Sequence, residues 1–220
     1  MVTLPPELLQ APELALYGEQ IQARLEQERQ LRDKFRSEVS AGVKAEFING
    51  EVIVHSPATT RHTIVRMHLS LLLTTYARMN RLGLVLDEKA MISLSRNDYE
   101  PDVLFFSAPQ AARIQPGQLL FPTPDFIAEV LSASTVDRDR GVKFRDYAAH
   151  GVPEYWLLEP EAATLEQHEL KGSAYALRLK ASSGHVRSLA IPGFEIPVRA
   201  LFDPEENLAC LKQLVQAGPS

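Results

Sequence analysis

Glu129 stands inside Phe126-Ile127-Ala128-Glu129-Val130-Leu131, a run in which every other side chain suits a dry core. An ionised carboxylate there is stable only if a metal, a cation or hydrogen bonds replace the lost water. The competing reading is an edge strand with its glutamate in solvent. Asp102 offers a second acid: Glu100-Pro101-Asp102 leads directly into Val103-Leu104-Phe105-Phe106, and the proline keeps the approach extended. An aspartate before a strand is by itself an ordinary turn residue. If the two runs are antiparallel neighbours, however, the start of one meets the end of the other, and both acids reach one edge of the sheet. Two carboxylates so placed repel, and a bound divalent cation such as Mg²⁺ or Mn²⁺ keeps both ionised. Lys143 supplies a third group. Asp139, Lys143 and Tyr147 repeat at four-residue spacing just after the Glu129 run, so a helix there carries all three on one face, with its ammonium able to reach the acids. A solvated Asp139 to Lys143 pair is the plainer alternative. On either reading, replacing Lys143 by alanine should change stability little.

These groups need elements to carry them. Residues 19–39 lack Gly and Pro and set Ile21, Leu25, Leu31 and Phe35 among charged residues, which predicts an amphipathic helix in an N-terminal helical extension, 1–39. Segments 43–48 and 51–55 flank Asn49-Gly50, a dipeptide suited to a type I′ turn, so a hairpin is expected. Over 59–79, Ile64, Met67, Leu71, Leu72 and Tyr76 recur at helical spacing and predict a long core helix. Short apolar runs at 84–94, 103–106 and 126–131 read as strands in the middle of a sheet. Between them, 107–124 contains four prolines and reads as an ordered loop with a short helix. A helix over 136–150 should end at Gly151, followed by a buried strand at 155–158. Segments 165–170, 175–179 and 186–191 alternate and are separated by glycine-containing turns, which predicts an antiparallel meander before a closing helix at 204–217.

The bulk properties exclude several classes. With 220 residues, 45% hydrophobic and 23% charged, the chain fits one globular domain. No apolar run reaches the roughly 18 to 20 residues of a membrane span. Met1-Val2-Thr3-Leu4-Pro5-Pro6 has no basic-then-apolar leader, so a cytoplasmic protein without membrane contact is expected. A lone Cys210 excludes an internal disulfide and a multi-cysteine zinc site, and the six histidines fall in no short metal-ligand spacing. The net charge of -5 argues against a whole-surface nucleic-acid binder but leaves room for a local basic groove. Arg138, Arg140 and Arg145 are the candidates for phosphate contacts, with a solvated charged face as the alternative.

The acids, the lysine and the turns belong to a longer series. It runs from Lys44-Ala45-Glu46-Phe47-Ile48-Asn49-Gly50-Glu51-Val52 through Ser56-Pro57, His62 and Pro101-Asp102 to Glu129-Val130-Leu131-Ser132-Ala133-Ser134-Thr135. It continues with Asp139, Lys143, Tyr147 and Gly151-Val152-Pro153-Glu154-Tyr155-Trp156. This series resembles the Uma-type family of restriction endonucleases, in the PD-(D/E)xK nuclease superfamily, over about residues 40 to 170. The resemblance implies an α/β (α+β mixed-sheet) fold with a restriction-endonuclease-like core and flanking helices, to which the pattern adds the C-terminal meander, in one domain over 40–220. It implies Asp102 and Glu129 as ligands of Mg²⁺ or Mn²⁺ and Lys143 as the catalytic lysine, with Glu46, His62, Asp139 and Tyr147 in support. The superfamily pattern sets lysine two residues after the second acid. Here that place holds Leu131, and Lys143 on the following helix takes the role. The implied activity is hydrolysis of phosphodiester bonds in nucleic acid, with DNA the expected substrate. A homodimer or higher homo-oligomer is expected because two strands need two active sites. The alternatives are a nuclease fold that no longer cleaves and acts as a nucleic-acid-binding or assembly module, and a metal-dependent hydrolase of another substrate.

Overall fold

The computed structural model describes residues 4–38 and 44–218. A short helix α1 (Pro6–Leu9) precedes α2 (Leu14–Glu38), which begins five residues before the expected helix; the expected end at Val39 lies outside the described residues. Asn49 and Gly50 take positive φ, 53° and 91°, and close the hairpin of β1 (Ala45–Ile48) and β2 (Glu51–Val54). A side chain at Gly50 would meet Glu28 Cγ at 3.0 Å, so α2 lies directly over this turn.

Helix α3 (Thr60–Met79) starts where the Thr59 hydroxyl accepts the His62 N–H. Its packed face is Val65, Leu69, Leu72, Leu73 and Tyr76, whereas the expected Met67 and Leu71 are exposed. The helical period holds, with Leu72 and Tyr76 buried as expected, but the rest of the buried stripe is Val65, Leu69 and Leu73.

The expected strand at 84–94 is two strands, β3 (Gly83–Asp87) and β4 (Met91–Ser93), in different sheets. The chain turns between them at Glu88 and Lys89, whose φ values of 35° and 57° interrupt any ladder. Next come β5 (Asp98–Tyr99), β6 (Val103–Ser107), α4 (Ala108–Ala111), β7 (Leu120–Phe121) and β8 (Phe126–Val130). The expected helix over 136–150 is divided into α5 (Val136–Arg140) and α6 (Val142–Ala149). The break falls at Gly141, where an added Cβ would stand 2.4 Å from the Asp137 carbonyl oxygen.

Strands β9 (Glu154–Glu159), β10 (Thr164–Lys171) and β11 (Ala174–Ala181) form the meander. The third expected strand shortens to β12 (His185–Arg187) and leaves the sheet to pair with β13 (Glu195–Pro197). A 3-10 turn (Val198–Leu201) leads to α7 (Pro204–Ala217), capped by the Asp203 carboxylate.

The six-stranded sheet has the order β11-β10-β9-β8-β6-β3, antiparallel except for the parallel pair β8 and β9. A five-stranded sheet, β2-β1-β5-β4-β7, is a second layer. Strand alternation divides the core. Val103, Phe105, Phe126, Ala128 and Trp156 pack with α3, the β12–β13 ribbon and Cys210 of α7, while Leu104, Phe106, Ile127, Tyr155 and Leu157 pack with Ile92, Tyr99 and Tyr147. Glu129 therefore shares the face of Ile127, toward α6. Because β8 lies between β6 and β9, an edge strand with a solvated glutamate is excluded.

Candidate active site

Pairing of Val103 with Ala128 makes Asp102 and Glu129 the next residues outward, where β6 and β8 stop laddering. Each backbone fastens the other strand's acid: Asp102 N–H donates to Glu129 Oε2 at 3.3 Å and Val130 N–H donates to Asp102 Oδ2 at 2.9 Å. Both acids are only 3% exposed. The alternation that buries Ile127 brings Glu129 beneath α6. Its Oε1 accepts from the Tyr147 hydroxyl at 3.0 Å and from Lys143 Nζ at 3.0 Å.

Lys143 Nζ also lies 2.8 Å from Glu46 Oε1 on β1 and 3.3 Å from Asp139 Oδ1. Glu46 Oε1 accepts the Glu100 N–H at 3.0 Å and Oε2 faces His55 Nε2 at 3.0 Å. From the first turn of α3, His62 Nε2 stands 3.3 Å from Asp102 Oδ2. The structure thus joins Asp102, Glu129, Lys143, Glu46, His62, Asp139 and Tyr147 in one network.

Two members were not singled out from the sequence. Lys44 Nζ is 2.9 Å from Asp102 Oδ1, and His55 faces Glu46. The available signal was period two: Lys44 and Glu46 flank Ala45 and so point to one side of β1. The three arginines do not join the site. Arg140 is engaged by Glu166 of β10 at 2.7 and 3.1 Å, Arg145 is exposed, Arg138 is half-buried, and none of them lines the cleft.

The electrostatics follow from crowding. Burial, with repulsion from Asp139, Asp102 and Glu46, pushes Glu129 up to about 8 against the pull of Lys143. Asp102 is held below the ordinary carboxylate range, since His62 and Lys44 outweigh the burial that would raise it. Glu46 is likewise lowered, with Lys143 and His55 overcoming burial. Three carboxylates keep Lys143 firmly protonated although burial opposes its charge.

Four buried carboxyl groups (Glu46, Asp102, Glu129, Asp139) face two lysines (Lys44, Lys143), and the rise of Glu129 to about 8 shows that the lysines alone do not keep all four ionised. Asp139 Oδ1 is buried and takes no well-aligned hydrogen bond, with the Lys143 ammonium 3.3 Å away. Asp102, Glu129 and Asp139 border a cleft of about 560 Å³ whose walls include Thr59, His62, Ser132, Ser134 and Thr135. This oxygen-rich set, short of cations, suits a hard divalent ion. Among the described residues no group of three acid, histidine or cysteine side chains is placed to hold a metal ion, so Asp102 and Glu129 are the pair that would have to serve.

The sequence pattern of the Uma2 family, described as "Putative restriction endonuclease", matches residues 8–199. The chain belongs to the Uma2 family. Over 137 residues this Uma2 protein is 30% identical to an uncharacterized protein of Synechocystis sp., an alignment covering 61% of this chain and 77% of that one. The Uma2 chain also resembles a crystal structure from Anabaena variabilis described as "a putative nuclease belonging to DUF820". That similarity has a TM-score of 0.67 at 16% identity and covers 77% of this chain and 96% of the other; it shows a shared fold. The Uma2 match includes all of α2.

Proposed function

We propose that this Uma2 protein is a metal-dependent endonuclease that hydrolyses phosphodiester bonds of nucleic acid, with DNA as substrate. The observation that supports it best is the pair Asp102 and Glu129, on adjacent antiparallel strands at the border of an open cleft, with an enclosed ammonium beside them. Asp102 and Glu129 would hold Mg²⁺ or Mn²⁺, which when bound would polarise a phosphate oxygen and supply an activated water.

The chain's own groups have distinct tasks. Lys143, ringed by three carboxylates within 3.3 Å, keeps its proton and acts as a fixed cation that offsets charge developing on the phosphate. Glu46 and Asp139 aim that ammonium, and Tyr147 fixes the plane of the Glu129 carboxylate. His62 holds Asp102 Oδ2 from the side of α3. The hydroxyls of Ser132, Ser134 and Thr135 border the cleft, where they can donate to non-bridging phosphate oxygens.

The test is nicking of supercoiled plasmid with Mg²⁺ or Mn²⁺ by the wild type and by Asp102→Asn. Metal-dependent nicking that disappears in the variant is expected. Equal nicking by both proteins would remove the site assignment. Plasmid retention without nicking under every metal would favour a nuclease fold that binds without cleaving.

A further inference from the structure

Two lysines flank the acids, and they are held differently. Lys143 is enclosed at 2% exposure and has three carboxylate partners. Lys44 has one close carboxylate, Asp102 Oδ1 at 2.9 Å, and its side chain is 22% exposed on the cleft wall. The Lys44 backbone is anchored, because its carbonyl accepts the His55 N–H at 3.0 Å. Its flexible stem can therefore swing from a fixed base.

Asp102 has the matching asymmetry. Its Oδ2 is secured by the Val130 N–H and by His62, whereas Oδ1 turns to Lys44. A divalent cation on Oδ1 displaces the ammonium from it, since the repulsion between the two cations at such range exceeds what the carboxylate oxygen offers the ammonium. A carboxylate this deeply buried also cannot stay ionised with no cation near it.

We propose that Lys44 is an exchangeable counter-ion. It neutralises Asp102 Oδ1 until a divalent ion takes that oxygen, and its ammonium then turns into the cleft to meet a phosphate oxygen of the nucleic acid. The proton stays on the lysine throughout, so no bond is made or broken in the exchange. This inference rests on the metal-site reading above. It assigns the two lysines different duties: Lys143 is a permanent cation, while Lys44 alternates between protein and substrate.

The experiment is a calorimetric titration of the full chain with Mn²⁺, comparing wild type, Lys44→Met and Lys44→Arg. Removing the competitor should tighten Mn²⁺ binding in Lys44→Met by about tenfold. Lys44→Arg should bind more weakly than wild type, because a guanidinium grips the carboxylate through two parallel bonds. Mn²⁺ should also raise the melting temperature of Lys44→Met more than that of wild type. With Mn²⁺ saturating, fluorescence anisotropy with a short phosphorothioate duplex should show several-fold weaker binding by Lys44→Met. Equal Mn²⁺ affinity in wild type and Lys44→Met would overturn the counter-ion role while leaving the metal site standing. Should Lys44→Met not fold, an Arg variant that binds Mn²⁺ as well as wild type overturns it in the same way. Unchanged duplex binding would overturn the substrate half. Absence of Mn²⁺ binding in all three proteins would overturn the metal site and this inference together.

Discussion

Lys143 is the cation most deeply enclosed by the candidate site, and its burial reverses the expectation that its loss would leave stability unchanged. Truncation to alanine strands Glu129, Glu46 and Asp139 without their shared ammonium. In metal-free protein Lys143→Ala should therefore cost on the order of 3 kcal/mol, read from urea denaturation. Plasmid cleavage should fall on the order of a hundredfold, and Lys143→Arg should restore little, because a planar guanidinium does not fit a pocket shaped for a point charge. An unchanged urea midpoint would mean that the carboxylates relieve the loss by taking up a proton.

Two elements are attached through buried acids. Glu154 on β9 is fully buried, and five donors satisfy it: Trp156 Nε1 and Gln167 Nε2 at Oε1, and the Ser188 hydroxyl with the Leu189 and Ala190 N–H groups at Oε2. The last three lie beside the β12–β13 ribbon, so this carboxylate ties the ribbon to the main sheet. Glu154→Ala removes the shared acceptor of five donors, with Trp156 Nε1 and the Ser188 hydroxyl buried among them, and should cost about 3 kcal/mol in the same urea assay, with cleavage affected only through folding. A shift below about 1 kcal/mol would show that water replaces the acid.

Helix α2 is attached by Glu28, which receives Arg96 at 2.7 and 2.8 Å and Arg24 at 2.6 Å, and by Arg32 and Arg36, which both grip Asp98. Hydrogen bonds from Arg96 and then Arg24, against burial, hold Glu28 at about 2 rather than the unperturbed 4.5. A depressed pKa contributes stability that is complete above about 4.5 and disappears as pH falls through about 2. The gap in melting temperature between wild type and Glu28→Gln should therefore be constant from pH 7 to 5 and shrink as pH falls from 4.5 toward 2. A gap that widens on acidification would contradict the docking role.

At the scale of the whole molecule, the first half of α2 carries Leu14, Tyr17, Ile21 and Leu25 exposed, while only Glu28 and Phe35 of this helix are buried. Cutting both strands of a duplex needs two sites, and this surface is where we expect two copies to meet. Light scattering at micromolar concentration should report twice the chain mass, and Ile21→Asp with Leu25→Asp should return it to the mass of one chain. A single-chain mass for the unaltered protein would remove the idea. Among the described residues no helix is long and apolar enough to cross a membrane.

Local chemistry alone determined much of this protein. Asn49-Gly50 set a hairpin because few other residues accept two consecutive positive φ values, and Asp203-Pro204 began the last helix by capping and a preset φ. Asp102 and Glu129 could be paired on one condition, that the two apolar runs are antiparallel neighbours, because the start of one then meets the end of the other. Tertiary structure decided the remainder. Lys44 reaches Asp102 across 58 positions of sequence, and nothing near either residue says which strand end they share. The break at Gly141 and the separation of β3 from β4 depend on layers that pack from elsewhere. The burial of Lys143 was hidden for the same reason. A helical Asp139 to Lys143 pair reads identically whether its face meets water or Glu46 and Glu129, and only the fold places β1 and β8 beneath it.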